Sequence, residues 1–424
     1  MNRAWIRIGN GLAAMAAAAL VSLGLLPAIA QAADDWVLDK SYGDGGVAKS
    51  ESLGYGNRLA TDGRGGVVVT ETVTDAFGKY SSFGAARLDP EGVLDIGFGN
   101  RGHVFFGPSN YNAQEEAVSV DRKGRILIAG SGTGHLVGLK TGPELVRVDA
   151  DGTRDKTFRR QSAFGYPGFG YTDVATLGSG KILVVGGSET LRSDERLEIQ
   201  IRRFRENGKP DRSFGRRGLV RIKGPENGNT GATDLHLLRG GKFLVSGIYG
   251  NRPWVGRFRA SGRFDRTFGK NGSATADLRQ ASGCGVLYSC AASGLQVTPA
   301  GDIRVLANDV GRRRETPYVV GFTKNGRPDR RYGDGGMVRV RPNDFRMGAM
   351  HLIGLPDGSA LVTYSSISKG ALARVSVDGD EVTGFPPLER NLDWVIDGEY
   401  ADGALYLSGG KGEEAVFWKL RRRG

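Results

Sequence analysis

Three ionisable side chains recur at one place in a repeated pattern. Asp173, Asp234 and His351 fall at the same distance before the turn glycines Gly180, Gly241 and Gly358, and Gly124 marks the same turn in another copy. Glu116 and Asp393 lie near the corresponding place in their own copies. Carboxylates and an imidazole that converge can act as general acid and base or hold a cation. The same set also serves as the polar lining of a water-filled channel. Just before Asp173, the stretch Gly165 to Tyr171 sets Tyr166, Phe169 and Tyr171 among glycines. Aromatic platforms with basic neighbours suit sugar rings or single-stranded nucleic acid, or they pack the loop itself. Other motifs lack their context. Gly54-Tyr55-Gly56 opens no helix, and no Gly-x-Ser-x-Gly elbow fits a strand–helix junction. Asp149-x-Asp151-Gly152-x-x-Asp155 mimics a calcium loop, but its counterparts lack the carboxylate spacing, so it reads as a hairpin turn. No cofactor or resident metal is expected.

The elements that position these residues are repeats. Asn207-Gly208-Lys209-Pro210-Asp211-Arg212-Ser213-Phe214-Gly215 returns as Asn325-Gly326-Arg327-Pro328-Asp329-Arg330-Arg331-Tyr332-Gly333. Gly92, Gly152, Gly208, Gly262, Gly326 and Gly379 recur every 53 to 64 residues, a period that signals a repeat architecture. Each unit holds a semi-polar strand, an apolar β-branched strand such as Ile126 to Gly130, and a third strand such as Ile199 to Phe204. The phrase then follows. Its glycine supplies the positive φ of a tight turn. Asp95, Asp155, Asp211, Asp265 and Asp329 can hold their own turn's amides. Phe98, Phe158, Phe214, Phe268 and Tyr332 are hydrophobic plugs, followed by a short fourth strand. In the last copy Val382 replaces the Asp, while Phe385 keeps the plug. The chain begins with a lone plug, Asp39-Lys40-Ser41-Tyr42-Gly43, and a fourth-type strand at 46–49, and it ends after a third strand. The two fragments complete one unit. The fold class is therefore all-β: a seven-bladed β-propeller of four-stranded antiparallel blades, its last blade closed by the N-terminal strand. Residues 34–424 would form this single domain.

The pattern Leu88-Asp89-Pro90-Glu91-Gly92-x-x-Asp95-x-x-Phe98-Gly99 resembles the delta-60 repeat of bacterial secreted proteins. The resemblance covers nearly the whole mature chain. It implies an extracytoplasmic propeller, with no shared activity and no catalytic residues to carry over. The turn is also similar to the Asp-box of sialidase propellers, which is structural there.

Residues 1–33 read as a cleaved signal peptide: Arg3 and Arg7, the apolar run Leu12 to Leu26, then small residues to Ala32. No later run is long enough to span a membrane. The chain is expected to be secreted, periplasmic or associated with the cell envelope, and to be a monomer. Its net charge of +12 attracts anionic polysaccharides and other envelope polymers, although the basic residues are scattered as pairs such as Arg216-Arg217. No nucleic-acid motif is present. Cys284 and Cys290, the two cysteines, are expected to pair in an oxidising compartment. In such a fold the first-to-second and third-to-fourth turns share one face, and here they are short. The longer, varied loops share the other, where binding is expected. The reading is a non-enzymatic binding or scaffold protein that recognises a polysaccharide or protein at the channel mouth on the varied face. The alternative is a hydrolase or lyase acting on a polysaccharide-like polymer there.

Overall fold

The apolar second strands form the middle of every blade because both their faces are covered. Val67, Val68 and Val69, Ile126 to Ala129, and Ile182 to Val185 are all buried. The computed structural model describes residues 36–423, except 51–52, 54–55, 75–80, 107–110, 135–141, 163–168, 189–196, 227, 278–289, 311–314, 341–348, 365–370, 383–393 and 412–413. The signal-peptide segment and Cys284 lie outside the described residues, as does the side chain of Cys290, so the disulfide does too.

The chain is a seven-bladed propeller of antiparallel blades. Blade 3 runs Phe169–Thr176, Ile182–Ser188, Glu198–Phe204 and Leu219–Lys223, from the channel outward. Blade 1 begins with Gly56–Thr61, blade 2 with Tyr111–Val120, blade 4 with Thr230–Leu237, blade 5 with Cys290–Val297 and blade 6 with Ala349–Gly354. A single parallel bridge, Ser81 to Asn112, links blades 1 and 2. Blade 7 consists of Trp394–Ala401, Ala404–Lys411 and Glu414–Arg422. The N-terminus completes it twice over. Val47–Ser50 pairs with Glu414–Arg422 at Val47 opposite Trp418, and Trp36–Leu38 pairs further along at Trp36 opposite Arg422. Sequence reading found the first of these strands and missed the second.

The repeated phrase proves to be a clasp between blades. Asp211 accepts hydrogen bonds from Ser213 N (3.2 Å) and Ser213 Oγ (2.8 Å), and its other oxygen takes Arg203 Nε at 2.8 Å. The Arg203 guanidinium stacks 4.6 Å over Phe214 and donates to Ala260 O in the next blade. Gly215 N donates to Ser261 O, also in the next blade, at 2.9 Å. The turn glycine of that blade, Gly262, has φ 83°, and a Cβ there would stand 2.8 Å from the Phe214 ring. The same clasp is built from Arg87, Asp95 and Phe98, from Arg147, Asp155 and Phe158, and from Arg257, Asp265 and Phe268.

Departures from the phrase are compensated. In blade 5 Gly321 stands in the arginine's place, where a Cβ would meet Tyr332 at 2.7 Å. Arg304 supplies the guanidinium from the second strand instead, 3.9 Å over Tyr332 and 3.7 Å from Asp329. In blade 7 Lys419 serves, 5.6 Å over Tyr42 and bonded to Pro90 O at 3.4 Å. In blade 6, where Val382 replaces the Asp, Arg374 turns to Asp357 at 2.6 Å and Arg422 joins it at 3.0 Å.

Candidate functional site

A β-bulge decides which side chains enter the channel. Each inner strand slips register once: between Tyr171 and Asp173, Ala232 and Asp234, Ala349 and His351, and Val395 and Asp397, with the same slip in blades 1, 2 and 5. The extra residue locally re-aims the side chain that follows it. Counting from the second strand, the equivalent residues of blades 1 to 7 are Arg58, Ala117, Asp173, Asp234, Gly294, His351 and Asp397. Five of the seven are ionisable.

Buried hydroxyls secure the bulges. Thr70 and Thr363 lie on the second strands behind Arg58 and His351. Thr70 Oγ1 accepts from Arg58 N, and Thr363 Oγ1 accepts from His351 N, both at 3.0 Å. Thr363 also donates to Ile396 O in the next blade at 3.1 Å. These bonds occupy amides that the ladder leaves unpaired at a bulge.

Arg58, His351 and Asp397 form a chain. Arg58 Nη1 lies 3.1 Å from His351 Nδ1. A guanidinium only donates, so Nδ1 accepts and the imidazole proton of this arrangement sits on Nε2. Nε2 is 3.1 Å from Asp397 Oδ1, but their geometry falls short of a hydrogen bond, so this buried oxygen keeps an unfilled acceptor site. Asp397 Oδ2 accepts from Leu59 N at 3.0 Å, which ties blade 7 to blade 1. Asp173 makes the same tie from blade 3 to blade 4: Oδ2 accepts from Leu235 N and Oδ1 from Val174 N, both at 2.7 Å.

Burial, then the neighbouring Asp234 carboxylate, pushes Asp173 up to about 8, against the pull of the two backbone amides and Arg58. Asp173 therefore holds its proton to a higher pH than an ordinary carboxyl. Burial likewise raises Glu399, which accepts from Thr61 N at 2.7 Å. Burial lowers His236 below the ordinary imidazole value. These groups line a cavity of about 390 Å³ in the channel. Among the described residues, no group of three or more His, Cys, Asp or Glu side chains is arranged to hold a metal ion.

The structure brings Asp173, Asp234 and His351 together, but halfway along their strands rather than at the mouth. Asp173 is three residues from the end of Phe169–Thr176, or roughly 10 Å. The described lining runs from this level toward the short turns, through Thr61, Ser119, His236 and Glu399. Asp397 takes the place expected near Asp393, which lies outside the described residues, as does Tyr166. Glu116 is the bulged residue of its strand, and its side chain, like that of Phe169, is outside the description. Tyr171 is no surface platform. It is buried between blades with Leu145, Phe158 and Val184, and burial raises its hydroxyl to about 12. Arg58 and Asp397 were missed.

The raised Asp173 has a measurable consequence. Its folded-state value, about 8, lies above the ordinary 3.8, so the folded protein holds a proton that the unfolded chain releases. Its contribution is therefore fully present below pH 3.8 and is lost as pH rises to about 8. His236, lowered, acts in the opposite direction. Urea unfolding of wild type and Asp173→Asn between pH 5 and pH 8 isolates the carboxyl. The gap between the two stabilities is expected to grow in favour of Asn with rising pH, and a constant gap would show that Asp173 is ionised throughout.

Comparison with known proteins supports the architecture. Residues 124–158 and 177–214 match a family model described as a β-propeller domain of unknown function, DUF5122. Both stretches run from a first-to-second turn to a plug. No curated protein sequence matches. Among solved structures, virginiamycin B lyase from Staphylococcus aureus superposes with a TM-score of 0.51 at 9% identity, over 88% of this chain and 98% of that one. The polysaccharide lyase Uly1 superposes with a TM-score of 0.50 at 11% identity, over 87% and 90%. At such identities the likeness is one of fold. The chain is a β-propeller repeat protein.

Proposed function

We propose that this is an exported, non-enzymatic binding propeller that seats a hydroxyl-rich ligand, a sugar unit of an envelope polysaccharide, in its channel. One observation carries the reading: the channel cavity gathers Arg58, Asp173, Asp234, His351, Asp397 and Glu399, side chains that between them donate and accept. Arg58 and the Asp173 carboxyl, whose protonated form burial favours, supply donors, while Asp234 and Glu399 supply acceptors. Sugar hydroxyls do both, which suits this mixture. A cavity of about 390 Å³ is in the range for a small ligand. Export rests on the basic and apolar leader with its small-residue end. The site moves from the varied loop face into the channel, because that is where the ionisable side chains meet.

A second reading, acid–base catalysis on a polysaccharide, is favoured by a carboxylic acid poised at about 8 beside a second carboxylate. Calorimetric titration with a panel of mono- and oligosaccharides, followed by product chromatography, separates the two. The binding reading expects saturable heat, no product, and near-normal affinity in Asp173→Asn, since an amide also donates. A product that disappears in Asp173→Asn would establish the enzyme. No heat and no product with any sugar would overturn both.

A further inference from the structure

Basic residues scattered along the sequence line up on one rim in the fold. The residue after the turn aspartate is Lys156, Arg212, Arg266 and Arg330 in blades 2, 3, 4 and 5, and all four are exposed. The residue after the turn glycine adds exposed Lys209, Arg263 and Arg327. The turns that carry them are chained by backbone bonds from blade to blade: Arg159 N to Asn207 O at 3.0 Å, Gly215 N to Ser261 O at 2.9 Å, and Gly269 N to Asn325 O at 2.8 Å. The cations thus follow one another along a single rim on the short-turn face. Blade 7 adds exposed Lys40 after Asp39, and the rim changes character in blades 1 and 6. Blade 1 offers exposed Val93 and Ile96 at the two equivalent positions, and blade 6 offers Asp380 at the first.

We propose that this rim is a docking surface for an acidic polysaccharide, a flexible polymer bearing carboxylates or sulfates along its length. Guanidinium groups pair with such anions in bidentate fashion. A repeated cation at each blade matches a repeated anion on a chain that can curve with the rim. Duplex DNA fits poorly: its persistence length is about 50 nm, and its major groove is read by a protruding helix or ribbon, which short turns do not supply. Single-stranded nucleic acid is held by stacked aromatics. The large exposed apolar side chains among the described residues are Val93, Ile96, Phe105, Met350 and Val377, and none lies on blades 2 to 5. The surface lies apart from the channel and does not depend on what the channel binds.

Fluorescence anisotropy with labelled polygalacturonate, neutral dextran and oligo(dT) tests this. The variants are the rim triple Arg212→Glu/Arg266→Glu/Arg330→Glu and a control triple, Lys49→Glu/Lys223→Glu/Arg339→Glu, which makes the same change in net charge at exposed positions on the outer strands. Polygalacturonate is expected to bind wild type more tightly than oligo(dT), with no binding of dextran. The rim triple is expected to weaken it by about tenfold or more and the control by no more than about threefold, with salt weakening wild type steeply. All substituted side chains are exposed, so both triples should keep the wild-type melting temperature. An equal loss in the two triples would reduce the rim to net charge and overturn the proposal. Tighter binding of oligo(dT), lost in the rim triple, would make it a nucleic-acid surface. Absence of polygalacturonate binding would also overturn it.

Discussion

Deleting residues 34–50 is expected to abolish the cooperative unfolding transition of the protein. The segment carries the strands Trp36–Leu38 and Val47–Ser50, both paired to Glu414–Arg422. It also brings buried Trp36, Tyr42, Val47 and Ala48 into the core of blade 7 and its junction with blade 1. Without it the outer edge of Glu414–Arg422 is unpaired, and Lys419 and Arg421 lose Asp39. The clasp from Gly43 N to Glu91 O at 2.6 Å also goes, so blades 7 and 1 are no longer joined there. Truncating one buried large aromatic costs about 3–5 kcal/mol, and this segment holds two. Losing both, with their ladders, rivals the total stability of a typical protein, about 5–15 kcal/mol. Differential scanning calorimetry decides it: a truncated protein with one sharp transition at the wild-type temperature would show that the ring does not need this closure.

Phe214→Ala is expected to cost about 3–5 kcal/mol, the usual range for a buried phenylalanine. Phe214 is fully buried, lies under Arg203, touches Phe243 and abuts Gly262 of the next blade. The truncation therefore loosens a blade junction as well as leaving a cavity. Ile96→Ser, at a position 77% exposed, should stay within about 0.5 kcal/mol. Guanidinium unfolding midpoints measure both, and equal effects would mean that the plug does not clasp.

The ring and its split closure were legible because each unit carries the same turn chemistry, and a plug without its preceding strands can only belong to the other end of the chain. The clasp was half legible. Asp211 and Phe214 stood out, whereas Arg203 did not, although an arginine recurs eight residues before the aspartate in blades 1 to 4. The channel ring was found where the first turn offers one clear glycine at the common spacing and missed where it does not. The turn at Ala401-Asp402-Gly403 is one residue shorter, so counting back from its glycine passes Asp397 by one. Arg58 does lie seven residues before Gly65, but Gly63 and Gly66 on either side leave the turn glycine ambiguous in the sequence. Tyr171 misled for another reason: beside glycines it looked exposed, but the bulge at Thr172 turns Tyr171 into the blade junction and Asp173 toward the channel. The basic rim was invisible because its members on successive blades are more than fifty residues apart in sequence and become neighbours only when the turns chain together.

A crystal structure of the intact protein soaked with the tightest-binding saccharide of the panel tests the site most directly. A sugar is expected in the channel, with its hydroxyls within hydrogen-bond distance of Arg58, Asp173 or Asp234. Saccharide bound only on the varied loops, with the channel unchanged, would contradict the channel as the binding site.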